Sequence, residues 1–232
     1  MRRVVRFLST STLYLALGHI GTAAQETSSS AFQSATVRFE QNATDGDAEV
    51  VFEVNGGDVG LSSLTIEGPT GRRVAEFRDP GSSTLGMREF LFESPEPPDP
   101  DLVRASYPEG LYTFSGNTVT GDRLWSQATL SHRLPAPAVV LDPVDGADVR
   151  ASAHRRIAWE PVEEVARYLI TIEQEDSDRV FSATIESTTS DFAVPEGFLQ
   201  PGAEYQLAIG TVAPNGNRSF VESMFTVARG NE

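Results

Sequence analysis

The chain has no cysteine and no lysine, and it has almost no histidine. Without cysteine there is neither a disulfide nor a thiol for a lipid anchor, so the fold must be held by its apolar cores alone. Without lysine a Gly-x-x-x-x-Gly-Lys phosphate loop cannot exist. Past the first residues the only histidines are His132 and His154, and neither belongs to a His-Glu-x-x-His pair. A zinc centre therefore has no spaced ligand set, and both residues read as surface or hinge positions rather than catalytic ones. No Gly-x-Ser-x-Gly elbow occurs either. Also missing is any sustained i, i+3, i+4, i+7 apolar pattern, which excludes long amphipathic helices from the body of the protein.

What is present is acidic. The 232 residues carry 33 Asp and Glu against 18 basic residues, all arginine, for a formal charge of -15 and a pI near 4.6. Nucleic acid and anionic lipid would both be repelled by that field. Residues 25–135 hold 17 acidic and 8 basic residues, and residues 136–232 hold 16 and 7, so each part carries -9. Acidity spread this evenly describes a solvated surface, not an acidic tail.

The first residues depart from that composition. Arg2, Arg3 and Arg6 precede a short, mostly apolar run from Phe7 to Gly18, and Gly21-Thr22-Ala23-Ala24 follows. A basic start, an apolar stretch and small residues before a cut predict a secretory signal over residues 1–24, and hence a periplasmic or secreted protein. Its Ser, Thr and His residues leave the run too short and too polar for a lasting membrane span. Removal of this segment would bring the formal charge to -18, from 15 arginines and 33 acids.

After a polar leader (25–34), a period of two takes over. Val37 and Phe39 alternate with Arg38 and Glu40, and Phe52 and Val54 with Glu53 and Asn55; Phe90 and Phe92, Leu64 and Ile66, Tyr112 and Phe114, and residues 124–130 keep the same beat. Such alternation predicts strands with one buried face. Asp45-Gly46, Gly68-Pro69-Thr70-Gly71 and Pro108-Glu109-Gly110 punctuate them with the residues tight turns require. Ser94-Pro95-Glu96-Pro97-Pro98-Asp99-Pro100 lacks ladder amides and predicts a stiff, exposed crossover. Leu134-Pro135-Ala136-Pro137 predicts a joint between domains, because its prolines exclude it from a sheet interior. The expectation is an all-β chain of two tandem antiparallel sandwiches, over residues 35–134 and 139–229, with a linker at 135–138.

The second of these is the easier to read. Trp159-Glu160-Pro161, Tyr168-Leu169-Ile170-Thr171-Ile172, Leu199-Gln200-Pro201-Gly202-Ala203-Glu204-Tyr205 and Gly216-Asn217-Arg218-Ser219 fall at successive strands and turns. From about Pro137 to Ala228 the chain resembles a fibronectin type III domain. That resemblance implies a core tryptophan at Trp159 and, at Tyr205, a corner tyrosine whose hydroxyl bonds back to nearby backbone. Residues 35–134 resemble bacterial immunoglobulin-like domains through Leu64-Thr65-Ile66-Glu67-Gly68-Pro69-Thr70-Gly71 and Glu109-Gly110-Leu111-Tyr112-Thr113-Phe114. Such modules serve adhesion, receptor and spacer roles alike, so neither resemblance implies an activity. No Arg-Gly-Asp tripeptide is present; Arg229-Gly230-Asn231 only approaches it.

Few residues stand out as functional. Glu173, Glu175, Asp176 and Asp178 could offer Ca²⁺ its oxygens, but they lack the Asp-x-Asp-x-Asp-Gly spacing and read as a solvated acidic turn. No metal and no cofactor is expected. Trp125 breaks the alternation: with Leu124, Ser126, Ala128 and Leu130 turned inward, it shares the outward face with Gln127 and Thr129. It either anchors a ligand or partner, with a loop aromatic such as Tyr107, or is covered by the second domain or the proline-rich crossover. The expectation is an exported, non-catalytic binding or scaffolding protein whose partner is an envelope protein or a polysaccharide. The alternatives are a carbohydrate-associated accessory protein and an enzyme whose site residues are scattered along the sequence.

Overall fold

The computed structural model describes residues 29–79, 81, 84–150 and 155–229. The expected signal, residues 25–28 of the leader and His154 lie outside the described residues, while the rest of the leader is held in place, with Phe32 only 5% exposed.

Among the described residues, fifteen strands and one short helix build two sandwiches. In the first, β1 (Ser34–Asn42), β2 (Asp47–Asn55) and β5 (Glu89–Glu93) form one sheet. β4 (Arg73–Arg78), β3 (Leu61–Glu67), β6 (Gly110–Thr118) and β7 (Arg123–Leu130) form the other, in that order. The inward residues of both sheets meet in one core that includes Phe39, Phe52, Leu64, Ile66, Tyr112 and Phe114, each 2% exposed or less.

The second sandwich repeats this arrangement. β13 (Asp191–Ala193), β10 (Arg156–Trp159) and β8 (Val140–Asp142) make a three-stranded sheet. Facing it lie β12 (Val180–Glu186), β11 (Arg167–Gln174), β14 (Glu204–Val212) and β15 (Arg218–Ala228), with β9 (Ala147–Arg150) added at the end of β15. Trp159 is 1% exposed, and its ring meets Tyr168 edge-on at 5.1 Å. The Tyr205 hydroxyl accepts from the Gln200 amide at 2.7 Å, the corner bond that the fibronectin type III resemblance implies. In the first sandwich the Tyr112 hydroxyl also bonds back to nearby backbone, here as the donor, to the Pro108 carbonyl at 3.0 Å. Both sandwiches have a fibronectin type III-like fold, three strands against four.

The two are fused through the backbone. β1 runs parallel to the start of β15, pairing Glu40 with Arg218, Gln41 with Ser219 and Asn42 with Phe220. One sheet thus continues from β12 through β15 and β1 to β5. Residues 133–136 cannot all donate to a ladder, but their carbonyls can accept, and side chains of the second sandwich serve them. Asn217 Nδ2 donates to Ser131 O and Arg133 O, Ser219 Oγ to Pro135 O, and Thr211 Oγ1 to Ala136 O, at 2.7–2.9 Å. Asn217 Oδ1 accepts from the Phe39 amide at 2.9 Å, so a side chain 1% exposed ties both sandwiches to the segment between them.

That fusion corrects one expectation about faces. Arg38 and Glu40 alternate with core residues and were expected on a solvated face, yet they are only 9% and 8% exposed. Arg38 pairs with Glu40 and with Glu53, and Arg218 reaches Glu40 at 3.3 Å. Charges this buried persist only because they neutralise one another.

The proline-rich crossover also holds more structure than expected. α1 (Pro100–Ser106) follows it, capped by Asp99, whose carboxylate accepts from the Asp101 amide at 3.0 Å. Proline at the first helical position gives up an amide that has no intrahelical partner there anyway. Val103 anchors the two turns in the core at 2% exposure.

Candidate functional site

On the four-stranded sheet of the first sandwich, every residue that does not enter the core faces outward, and register fixes their rows. Arg78, Ser63, Asn117 and Arg123 form one row across β4, β3, β6 and β7; Glu76, Thr65, Ser115 and Trp125 form the next. Arg73, Glu67, Thr113 and Gln127 form a third. Strands lie about 4.8 Å apart, so each row spans about 14 Å. The resulting face is rich in hydroxyls and amides, with a single indole.

Trp125 is 45% exposed on this face. Neither the second sandwich nor the proline-rich crossover shares its groove, which has a volume of about 390 Å³ and is bounded by Ser29, Ser63, Thr65, Ser115, Arg123 and Trp125 among others. The backbone beneath the indole is pinned: Trp125 N–H donates to Ser30 O at 2.8 Å, and Ser30 N–H to Arg123 O at 3.0 Å. Phe32, 5% exposed, anchors that segment, and its amide donates to Ser126 Oγ at 3.1 Å. Gly116 makes the close approach possible, since a Cβ there would fall 2.5 Å from Ser63 O and 3.2 Å from the Phe32 ring.

Polar side chains of the face are already oriented. Asn117 Nδ2 donates to Ser63 Oγ at 2.9 Å, and Gln127 Nε2 to Thr113 Oγ1 at 3.2 Å. Glu76 accepts from Arg78 Nε at 2.6 Å and also from Arg73. The Arg78 bond, seconded by that from Arg73, holds the Glu76 carboxyl below the usual carboxylate range.

Tyr107 is placed differently from the loop aromatic the sequence led us to expect. It caps the C-terminus of α1, is half-buried, and sets its ring 6.0 Å from Phe52 of the core. Its carbonyl bonds to His132 Nε2 at 2.8 Å, beyond the Leu130 end of β7. The structure therefore does not bring Tyr107 and Trp125 together. His132 packs on Phe39 at 5.1 Å, beside the joint.

A second hollow, of about 660 Å³, lies at the joint between Leu134, Pro135, Ala213 and Pro214, with the Arg133–Glu164 ion pair at 2.7 Å. It has no aromatic to anchor a ligand. A third, of about 200 Å³, gathers Glu40, Asp47, Glu49, Glu96 and Glu222. Among the described residues no group of three or more Asp, Glu or His side chains is placed to hold a metal ion. Glu173, Glu175, Asp176 and Asp178 all lie exposed on or beside the β11–β12 hairpin. No helix among the described residues is long and apolar enough to cross a membrane.

No family model matches the chain, and neither does any curated protein. Among solved structures it is similar to a two-domain fibronectin type III segment of chicken tenascin, at 14% identity and a TM-score of 0.32, over 84% of this chain and 98% of that one. It is also similar to the FN1–FN3 domains of chicken CNTN1, at 12% identity and a TM-score of 0.31, over 84% of this chain and 67% of that one.

Proposed function

We propose that this is an exported, non-catalytic binding or scaffolding protein that acts in a bacterial envelope or outside the cell, through the Trp125 face of its first sandwich. Export is supported by the basic, then apolar, then small-residue order of residues 1–24. The observation that carries the reading is a large aromatic left 45% exposed on a face of pre-oriented amides and hydroxyls. Exposed aromatics ringed by polar groups anchor interfaces, because the ring supplies contact area at little entropic cost.

A photo-crosslinking residue placed at Gln127 tests this in cells. Adducts with an envelope protein or glycan are expected in the envelope fraction or the medium, they should fade in Trp125→Ala, and the same probe at Val180 of β12 should give none. Equal yields from both positions, or none from Gln127, would sink the reading.

A further inference from the structure

We propose that the Trp125 groove takes a polysaccharide chain that carries anionic groups, carboxylate or sulfate. The inference rests on the reading above and names the ligand class for that face.

Charge is the first argument. In a chain with 33 acidic and 18 basic residues, the described residues that line the groove include two arginines, Arg78 and Arg123, and no carboxylate. Glu76, next along β4, is engaged by Arg73 and Arg78. At physiological salt the field of the remaining acidic surface decays over about 8 Å, so a bound group feels the two guanidiniums most. Arg78 gives Glu76 its Nε contact, and a guanidinium has five N–H donors, so the same side chain can also bind a planar anion.

Geometry is the second. Arg78 and Arg123 end one row about 14 Å long, with Ser63 and Asn117 between them. Hydroxyls and amides both donate and accept, as sugar hydroxyls do, and the Trp125 indole beside Ser115 offers an apolar platform to the C–H face of a ring. Arginines at both ends of a polar row suit an extended ligand with widely spaced charges. Nucleic acid, with one charge per about 1.7 Å of duplex, would bring far more repulsion from the acidic surface than two arginines could offset. A peptide adding itself as a strand is blocked at the indole, because Ser30 already occupies that edge of β7.

Affinity electrophoresis of the purified protein in gels containing sodium alginate, a lightly sulfated dextran sulfate or neutral dextran separates the possibilities. Retardation is expected in alginate or dextran sulfate but not in neutral dextran, and the gel that retards identifies carboxylate or sulfate as the recognised group. Trp125→Ala should weaken retention at least about tenfold, and Arg78→Ser with Arg123→Ser by a similar factor that shrinks as salt rises. Bound polymer should also shield Trp125 from acrylamide quenching, against the constant signal of buried Trp159. Equal retention in neutral dextran, no retention in any gel, or retention indifferent to the three substitutions would overturn the proposal. Crosslinks from Gln127 to a protein, without retention in either charged gel, would remove this inference and leave the binding role standing.

Discussion

The two sandwiches pair their strands in the same order and place a tyrosine at the same corner, yet they use the four-stranded sheet for different ends. In the second sandwich the sheet is extended at β15, where β1 of the first sandwich and then β9 add themselves in parallel. Its outer surface includes Leu169, Ala208 and Phe220, and the Phe220 ring lies so close over Gly210 that a Cβ there would sit 2.5 Å from it. In the first sandwich the corresponding strand, β7, pairs with β6 on one edge and, among the described residues, carries only the bridge from Ser30 on the other, and its outer face is polar except for Trp125. One module has given its sheet to assembly and the other keeps its sheet open. Function in such folds resides in the faces rather than in the fold.

The two tryptophans put this contrast to its largest test. Trp159 fills the second core, so Trp159→Ala should cost about 3–5 kcal/mol of stability in denaturant unfolding. Trp125→Ala removes no core contact and should change stability by less than about 0.5 kcal/mol, while weakening the crosslinks described above. Comparable losses in the two variants would mean that Trp125 is structural and that the faces do not differ in purpose.

Assembly through β15 is broken more gently at Asn217. Asn217→Ala leaves the Phe39 amide and the Ser131 and Arg133 carbonyls without their partner, a loss of about 2–3 kcal/mol. Because those bonds join the two bodies, calorimetry should show one transition separating into two. A single unshifted transition would show that the shared sheet, and not this side chain, couples them.

How much of this was legible from sequence follows from the range over which each feature is decided. Strands whose two faces have different neighbours announce themselves by alternation, as at Tyr168, Ile170 and Ile172 or at Tyr112 and Phe114, and Trp125 is outward for the same local reason. β4 and β9 are edge strands of mixed burial and leave no such pattern. α1 is two turns long, too short for a periodic signal, though Asp99-Pro100 marks its start. Arg38, Glu40 and Asn217 were illegible because their burial depends on β1 meeting β15, 178 residues away. The groove is legible only in part. Trp125 is visible in the sequence, but Arg78 and Ser63 reach it only through register, and Tyr107 is excluded by the helix that the sequence hid.

The smallest expected effect lies on the other side of the fusion, at the acidic pocket where β1 and β2 approach β15. Glu49 stands opposite Glu40 in the β1–β2 register, with Glu93, Glu96 and Glu222 on neighbouring segments and Arg38 the nearby opposing charge. Partial burial, with repulsion from Glu40, Glu93 and Glu96, pushes its carboxyl up to about 7. A carboxyl whose affinity for protons is higher in the folded state than in the unfolded one stabilises the fold while protonated. That contribution is complete below about pH 4.5 and is lost as pH rises through about 7. Glu49→Gln keeps the shape and removes the charge, so at pH 8 it should stabilise by about 1 kcal/mol, or about 2–4 °C in melting temperature. Below about pH 4.5 the variant and the parent should melt together, and at pH 5 the gap should be only a small part of that at pH 8. A gap at pH 5 as large as at pH 8 would mean that Glu49 acts by packing rather than by charge, and the acid-lined side of the joint would then differ from the arginine-lined groove in composition but not in electrostatic cost.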